Sequence, residues 1–268
     1  MHRALRILSD TCYEREYMSN TQNQNMHDGQ RKLYFSELEF LTNYFLNTGR
    51  EESQTIVVYA GAAPGDHIQR LAADFPDVEF HLYDPEQFNP PLRYCLNVKL
   101  YQELFTVELA QDWADHAKSV LFICDIRSTR PDTSKHCILS GKQEDDRCQE
   151  LKIHEDMVLQ QSLFEHMRPQ YALLKFRSPY HYDHFTPPTD WNCYLDGDLY
   201  FQVWAPKNST ELRLLVKQNA GLKTYDSKKI ERQMAYFNQV RRAREGYDAK
   251  ATRMIKTSYE VYLHSKLV

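Results

Sequence analysis

Val57-Val58-Tyr59-Ala60-Gly61-Ala62-Ala63-Pro64-Gly65-Asp66-His67 decides how this chain is read. A β-branched run from Thr55 to Tyr59 enters a loop with two glycines and a proline, and a helix is predicted from about His67 to Phe75. Strand, glycine-bearing turn and helix form the entrance to a cofactor crevice in open α/β sheets, because glycine lets the backbone approach a ligand closely. A dinucleotide fingerprint needs G-x-G-x-x-G. Here Gly61 and Gly65 lie four apart with Pro64 between them, which favours a tight turn beside an adenosine or methionine moiety over a pyrophosphate cradle.

Outward from that loop, strands are predicted at Thr55–Ala60, Val78–Tyr83, Val98–Phe105, Ser119–Ile126 and Tyr171–Phe176. Helical stretches at His67–Phe75, Glu108–Ala117 and Glu155–Met167 alternate with them, which argues for a mostly parallel sheet with helices on both faces. An earlier helix runs from Gly29 through Leu46, with Leu33, Phe40, Leu41, Tyr44 and Phe45 at helical spacing, and ends at Asn47-Thr48-Gly49. Leu199–Trp204 and Glu211–Val216 are joined by a short link and read as an antiparallel hairpin. A parallel α/β sheet finished by such a hairpin resembles the Rossmann-like class I S-adenosylmethionine-dependent methyltransferases and not the dehydrogenases. Two segments interrupt the alternation: a polar loop from Ser128 to Lys152, and an aromatic, proline-rich excursion from Ser178 to Asp198. The expected organisation is a mobile arm over 1–28, with Tyr13 and Tyr17 its large aromatics, a catalytic domain over 29–240, and a basic helical tail over 241–268.

The chain has 268 residues, ample for a substantial core, and a formal charge of −4 that does not announce a nucleic-acid binder. The charge is uneven. Lys223 to Lys256 holds ten Lys/Arg against four Asp/Glu, an excess that suits phosphates or a solvated helix face. No apolar run of membrane-spanning length occurs, so no membrane is expected. Six cysteines without a CxxC pair read as reduced thiols of an intracellular protein, and no ligand cluster calls for a metal.

The chemistry-bearing residues sit at strand ends. Asp84 ends the second strand, where a carboxylate accepts hydrogen bonds from ribose hydroxyls; a turn residue in Asp84-Pro85 is the plainer reading. Asp125 and Lys175 end two further apolar strands. A lysine after Ala172-Leu173-Leu174 is expected to be partly desolvated, which lowers its pKa toward that of a useful base. A lone strand-end lysine more often snorkels. Since the carboxyl ends of parallel strands open onto one crevice, Asp84, Asp125 and Lys175 are expected to converge on the glycine loop.

At this point a resemblance enters. Gly29-Gln30-Arg31-Lys32-Leu33 with Glu37-Leu38, Val57 to Ile68, Asp125-Ile126-Arg127-Ser128, Leu174-Lys175-Phe176-Arg177, Ala205-Pro206 with Ser209 to Leu215, and Glu231 with Met234 to Asn238 follow in order. Together they are similar to the poxvirus-type cap-specific mRNA (nucleoside-2'-O-)methyltransferase family, a poxvirus member of which also serves as the small subunit of poly(A) polymerase. The resemblance implies a catalytic tetrad at Lys32, Asp125, Lys175 and Glu211, with methyl transfer from S-adenosylmethionine to a ribose 2'-hydroxyl at the capped 5' end of mRNA. It implies cofactor contacts at Gln30, Leu33, Tyr59, Gly61, Ala63, Gly65, His67, Asp84, Phe105 and Asp125. For the cap it implies Tyr13 and Tyr180 as stacking rings and Glu231 as a carboxylate. The family's second cap carboxylate falls on Tyr182, with Asp183 beside it as the candidate. Arg127 and Arg177 are expected to hold RNA phosphates. One departure stands out: Pro85-Glu86 replaces a Gly-Arg of the poxvirus member, so that arginine's contacts are not carried over. Two other readings are an RNA-binding stimulatory subunit of a poly(A) polymerase, non-catalytic or with a double role, and a ribose methyltransferase of uncapped RNA. The expected compartment is the cytoplasm (a viral factory for a viral protein), or the nucleus for a cellular eukaryote.

Overall fold

A computed structural model of the chain describes residues 6–16, 26–127 and 142–267. Tyr17, most of the polar stretch before residue 26 and the first half of the expected loop at 128–152 lie outside the described residues.

Seven strands form one sheet in the order β3-β2-β1-β4-β5-β8-β7. They are β1 (Thr55–Ala60), β2 (Glu79–Tyr83), β3 (Val98–Tyr101), β4 (Ser119–Cys124), β5 (Tyr171–Phe176), β7 (Asp198–Tyr200) and β8 (Leu212–Lys217). The first five run parallel, and β8 then lies antiparallel against β5 and β7. Every residue of β1 is buried, as expected of a central strand covered on both faces. A second, two-stranded sheet pairs β6 (Cys193–Leu195) with β9 (Leu222–Thr224), so the aromatic excursion carries a strand of its own.

The helices are α1 (Met26–Thr48), α2 (Asp66–Asp74), α3 (Val107–Asp112), α4 (Lys142–Met167), α5 (Ser227–Tyr236) and α6 (Tyr247–Ser265). Helix α1 buries Leu38, Leu41 and Phe45, and it stops where Gly49 turns left-handed (φ 63°) and donates its N–H to Phe45 O at 2.9 Å. Helix α4 starts at Lys142, inside the segment predicted as loop. Gln143-Glu144-Asp145-Asp146-Arg147 is polar yet includes good helix formers, so polarity alone misled. Strand β3 ends at Tyr101, short of the predicted Phe105, and Trp204 lies beyond β7 with φ at 60°.

Of the segment expected as an arm, Arg6–Leu8 lie along the sheet edge. Leu8 N donates to Leu199 O at 2.7 Å and Phe201 N to Arg6 O at 2.9 Å. The Arg6 guanidinium is buried between Glu39 and the Tyr247 hydroxyl. Of the segment expected as a tail, α6 buries Tyr247, Ala251, Ile255 and Tyr262, with the Tyr262 ring stacked on Phe45 at 5.5 Å.

The glycine loop is fixed by close approach. Gly61 has φ of 77°, and a Cβ there would lie 2.7 Å from Ile126 N and 2.9 Å from the Asp125 carbonyl carbon. Backbone cannot yield as a flexible side chain can. Gly61→Ala is therefore expected to lower stability by about 2–4 kcal/mol, measured as a drop in the thermal unfolding midpoint.

Candidate active site

The strand order reverses between β1 and β4, and there the carboxyl ends of parallel strands part to leave a crevice. Gly61 leaves β1, Asp84 leaves β2, Asp125 leaves β4 and Lys175 lies near the end of β5. Because β8 is antiparallel, it starts where β5 ends, bringing Glu211 and Arg213 to the same rim.

The four tetrad residues meet there. Lys32, from the early turns of α1, donates to Glu211 Oε1 at 2.7 Å. Lys175 Nζ lies 3.2 Å from Asp125 Oδ1 and 3.7 Å from Glu211 Oε2. Burial pushes the Asp125 carboxyl up, but Arg213, Lys175 and Lys32 outweigh it and hold it at about 2. Glu211 is likewise opposed by burial and held well below the usual range by Lys32, Lys175, Arg213 and Arg127. Both carboxylates therefore stay charged at neutral pH.

Three buried residues that the sequence reading missed hold this group in place. Arg213 donates to Asp125 Oδ1 at 2.5 Å and to Cys124 O at 3.3 Å. Gln202 accepts from Arg213 Nε at 3.0 Å while donating to Glu211 Oε1 at 3.0 Å, linking the two carboxylates. Gln160, from α4, accepts from Lys175 N at 3.1 Å and donates to Lys175 O at 3.3 Å. Strand β4 pairs only as far as Leu174, so this glutamine replaces the missing neighbour strand. A signal for Arg213 existed: on a strand it shares a face with Glu211, two residues away.

On the cofactor side, Gly61, Ala63 and Gly65 line the turn, and Ala63 N donates to Asp84 Oδ2 at 3.0 Å. Glu86 N donates to the other oxygen at 2.8 Å. Each oxygen keeps a lone pair for a hydroxyl. Phe105 packs behind Asp84 against Tyr83, ring centroids 4.7 Å apart, and Leu33 is nearly covered. The side chains of two residues expected at the cofactor turn inward. The side chain of Tyr59 is fully covered and its hydroxyl donates to Glu37 at 2.7 Å; burial first, then Glu37, pushes the phenol well above its usual range. His67 is buried as well, its Nδ1 2.8 Å from Gln30 Oε1 and its Nε2 3.0 Å from Glu37. The Gln30–His67–Glu37–Tyr59 chain fixes α1 and α2 behind the loop, leaving Gln30 as its partly exposed end.

Tyr13 and Glu231 of the expected cap residues meet at α5, and the Tyr180 loop is tied to its start. Tyr180 is held by its hydroxyl, 2.6 Å from Thr210 Oγ1, and by its ring, over which the Arg177 guanidinium lies at 4.2 Å. His181 Nε2, 2.7 Å from Ser227 Oγ, ties this loop to the start of α5. Glu231 on α5 is half-buried, and burial followed by the Glu150 charge raises its carboxyl. Tyr13 is 74% exposed and rests on Tyr236, centroids 5.3 Å apart. Asp183 is exposed in the turn closed by Tyr182 and Phe185.

The two arginines diverge. Arg177, expected at a phosphate, is buried and donates to Glu150 Oε2 at 2.7 Å. Burial works against its charge, and Glu150 more than restores it. Arg127 lies 3.7 Å from Asp156 and 3.9 Å from Glu211, and its terminal nitrogens have no hydrogen-bond acceptor among the described residues. Glu150, missed in the sequence, also accepts from Tyr180 N at 3.1 Å and Tyr182 Oη at 3.2 Å. Much of the basic excess after Lys223 is engaged internally, for example Arg242 with Asp248 at 3.0 Å. Among the described residues no group of His, Cys, Asp or Glu could hold a metal ion, and no helix is long and apolar enough to cross a membrane.

The chain is similar to known proteins. The chain is 28% identical over 249 residues to the "Cap-specific mRNA (nucleoside-2'-O-)-methyltransferase" of Myxoma virus (strain Lausanne), covering 87% of this chain and 67% of that protein. It is 31% identical over 220 residues to the protein of the same name from Fowlpox virus (strain NVSL), covering 78% of this chain and 64% of that one. It thus spans about two thirds of the length of these relatives. A solved SAM-dependent methyltransferase from Anabaena variabilis aligns with 76% of this chain and 100% of its own at 10% identity, with a TM-score of 0.30 too low to carry an argument. The model of the poly A polymerase regulatory subunit family matches residues 1–263, and the chain belongs to that family.

Proposed function

We propose that this chain is a cap-dependent mRNA ribose methyltransferase, acting on the 2'-hydroxyl of the first transcribed nucleotide. The observation that carries the reading is the contact of Lys32, Glu211, Lys175 and Asp125 at the mouth of the crevice beside the glycine loop. S-adenosylmethionine is the methyl donor, and its sulfonium supplies the electrophilic methyl group. The donor set at the crevice fits it: each Asp84 oxygen keeps a lone pair for a ribose hydroxyl, and Gly61 lets the β1 turn close against the Asp125–Ile126 backbone at the floor of the crevice.

A ribose hydroxyl is a weak nucleophile and must be aimed and relieved of its proton. Lys175 Nζ would orient that hydroxyl and, as the neutral amine, would take up its proton while the new oxygen–carbon bond forms and the methyl's carbon–sulfur bond breaks, its electron pair leaving with a neutral thioether. Asp125 and Glu211, kept ionised by their cationic neighbours, fix Nζ from two directions. Arg127, which reaches the rim beside Glu211 with its terminal nitrogens buried, would have to turn outward to take the RNA phosphate that the resemblance assigns to it. Tyr13 and Tyr180 sandwich the methylated guanine, whose delocalised positive charge favours ring faces, while Glu231 and Asp183 meet its polar edge. The cytoplasm is the compartment proposed, and the family description favours a second role as stimulatory partner of a poly(A) polymerase catalytic subunit.

The test is methyl transfer to one short RNA carrying a methylated cap, an unmethylated cap or no cap. Methylated-cap RNA is expected to be preferred at least about tenfold, since stacking of a cation contributes roughly 1–2 kcal/mol. Equal rates on capped and uncapped RNA would assign the chain to ribose methylation without a cap. Co-precipitation with the cognate polymerase, followed by a processivity assay, tests the second role.

A further inference from the structure

Residues 9–15 form a strap along α5, outside the sheet, with Cys12 packed on the core. Arg6–Leu8 already complete the sheet edge, whereas Ser9, Asp10, Thr11, Tyr13, Glu14 and Arg15 are exposed. Yet one buried side chain is devoted to the strap. Gln233, 3% exposed, donates through Nε2 to Ser9 O at 3.0 Å and to Cys12 O at 3.4 Å. These carbonyls belong to the tight turn closed by Cys12 N donating to Ser9 O at 3.0 Å, immediately before Tyr13. Beyond Tyr13, Arg15 N donates to Arg232 O at 3.1 Å. The tyrosine is bracketed on both sides, and Tyr236, one turn after Gln233, backs its ring.

We propose that Gln233 is a positioning residue for cap specificity, seating the strap so that Tyr13 is presented on Tyr236 before RNA arrives. The inference rests on the cap-dependent reading above. The strap's ion pairs do not explain its seat. Asp10–Lys229 and Glu14–Arg232 involve side chains 97% and 53% exposed at one end, and such pairs are weak and screened by salt. Buried amide donors to two carbonyls are shielded from that screening, and losing them leaves Tyr13 fixed on its C-terminal side alone, by the Arg15 N–Arg232 O bond. Glu231 lies on the same helix two residues earlier, so α5 sets both a stacking ring and a carboxylate of the cap subsite.

Gln233→Met keeps the length and volume of the side chain and removes both donors. The expected result is a KM for methylated-cap RNA raised about five- to tenfold. kcat at saturating capped RNA, and the rate on uncapped RNA, stay within about twofold. Combining it with Tyr13→Ala adds little beyond Tyr13→Ala alone, because both remove one presented ring. Tyr236→Leu, at a partly exposed position, gives the same split and serves if Gln233→Met does not fold. A wild-type chain that ignores the cap overturns the cap-dependent reading and this inference together. A wild-type cap preference that survives both variants overturns the inference alone, as does an equal loss on capped and uncapped RNA.

Discussion

Lys175→Ala is expected to abolish methyl transfer while the protein stays folded and binds S-adenosylmethionine as before. A loss of roughly 10²–10⁴-fold in kcat is anticipated, the range for removing a group that both aims a nucleophile and accepts its proton. The fold should tolerate the change because neither carboxylate is stranded. Asp125 keeps Arg213 at 2.5 Å, and Glu211 keeps Lys32 at 2.7 Å. The opposite truncation differs in kind: Asp125→Ala leaves Arg213 and Lys175 buried with one carboxylate fewer, which is costly for unpaired charge. Single-turnover methyl transfer, with cofactor binding followed by calorimetry and folding by thermal unfolding, separates these effects. Activity within tenfold of wild type in Lys175→Ala would remove Lys175 from the role proposed for it.

The positions that could be read from the sequence are those where the physics is local. Thr55–Ala60 and Tyr171–Phe176 match their strands to the residue, because a strand buried on both faces is a nearly continuous apolar run, stopped in one case by a Gly/Pro turn and in the other by Arg177-Ser178. Asp125 and Lys175 were legible for the same reason, as charges placed where such runs stop. Glu150, Gln160 and Gln202 were not. A polar side chain on a charged helix such as α4 looks like solvent-facing surface, and only tertiary packing shows that Glu150 and Gln160 point inward. The partner of Arg177 was hidden in a similar way: an arginine beside a strand-end lysine suggests a phosphate, and nothing local points to the buried glutamate 27 residues earlier that it meets. Strand β6 went unseen because three residues among prolines and aromatics carry too little periodicity to count.

Glu150→Ala is expected to be among the most destabilising single changes in the chain. The Glu150 carboxylate is fully covered, and it accepts from Arg177 at 2.7 Å, Tyr180 N at 3.1 Å and the Tyr182 hydroxyl at 3.2 Å. Truncation leaves a buried guanidinium whose Nε already lacks a hydrogen-bond partner among the described residues. Breaking a buried pair from one side costs about 3–5 kcal/mol, a large share of a typical domain's stability, and lowers the unfolding midpoint by on the order of 10 °C. Arg177→Met in the same chain should restore part of the loss, since the pair itself contributes little once both charges are gone. Recovery would not extend to cap recognition. Tyr180 would still lack the acceptor for its backbone N–H and the guanidinium against its ring, so KM for capped RNA should remain raised in the folded double variant. Additive destabilisation by the two single changes would show that Glu150 and Arg177 are not coupled, and a normal KM in the double variant would show that neither of them seats Tyr180.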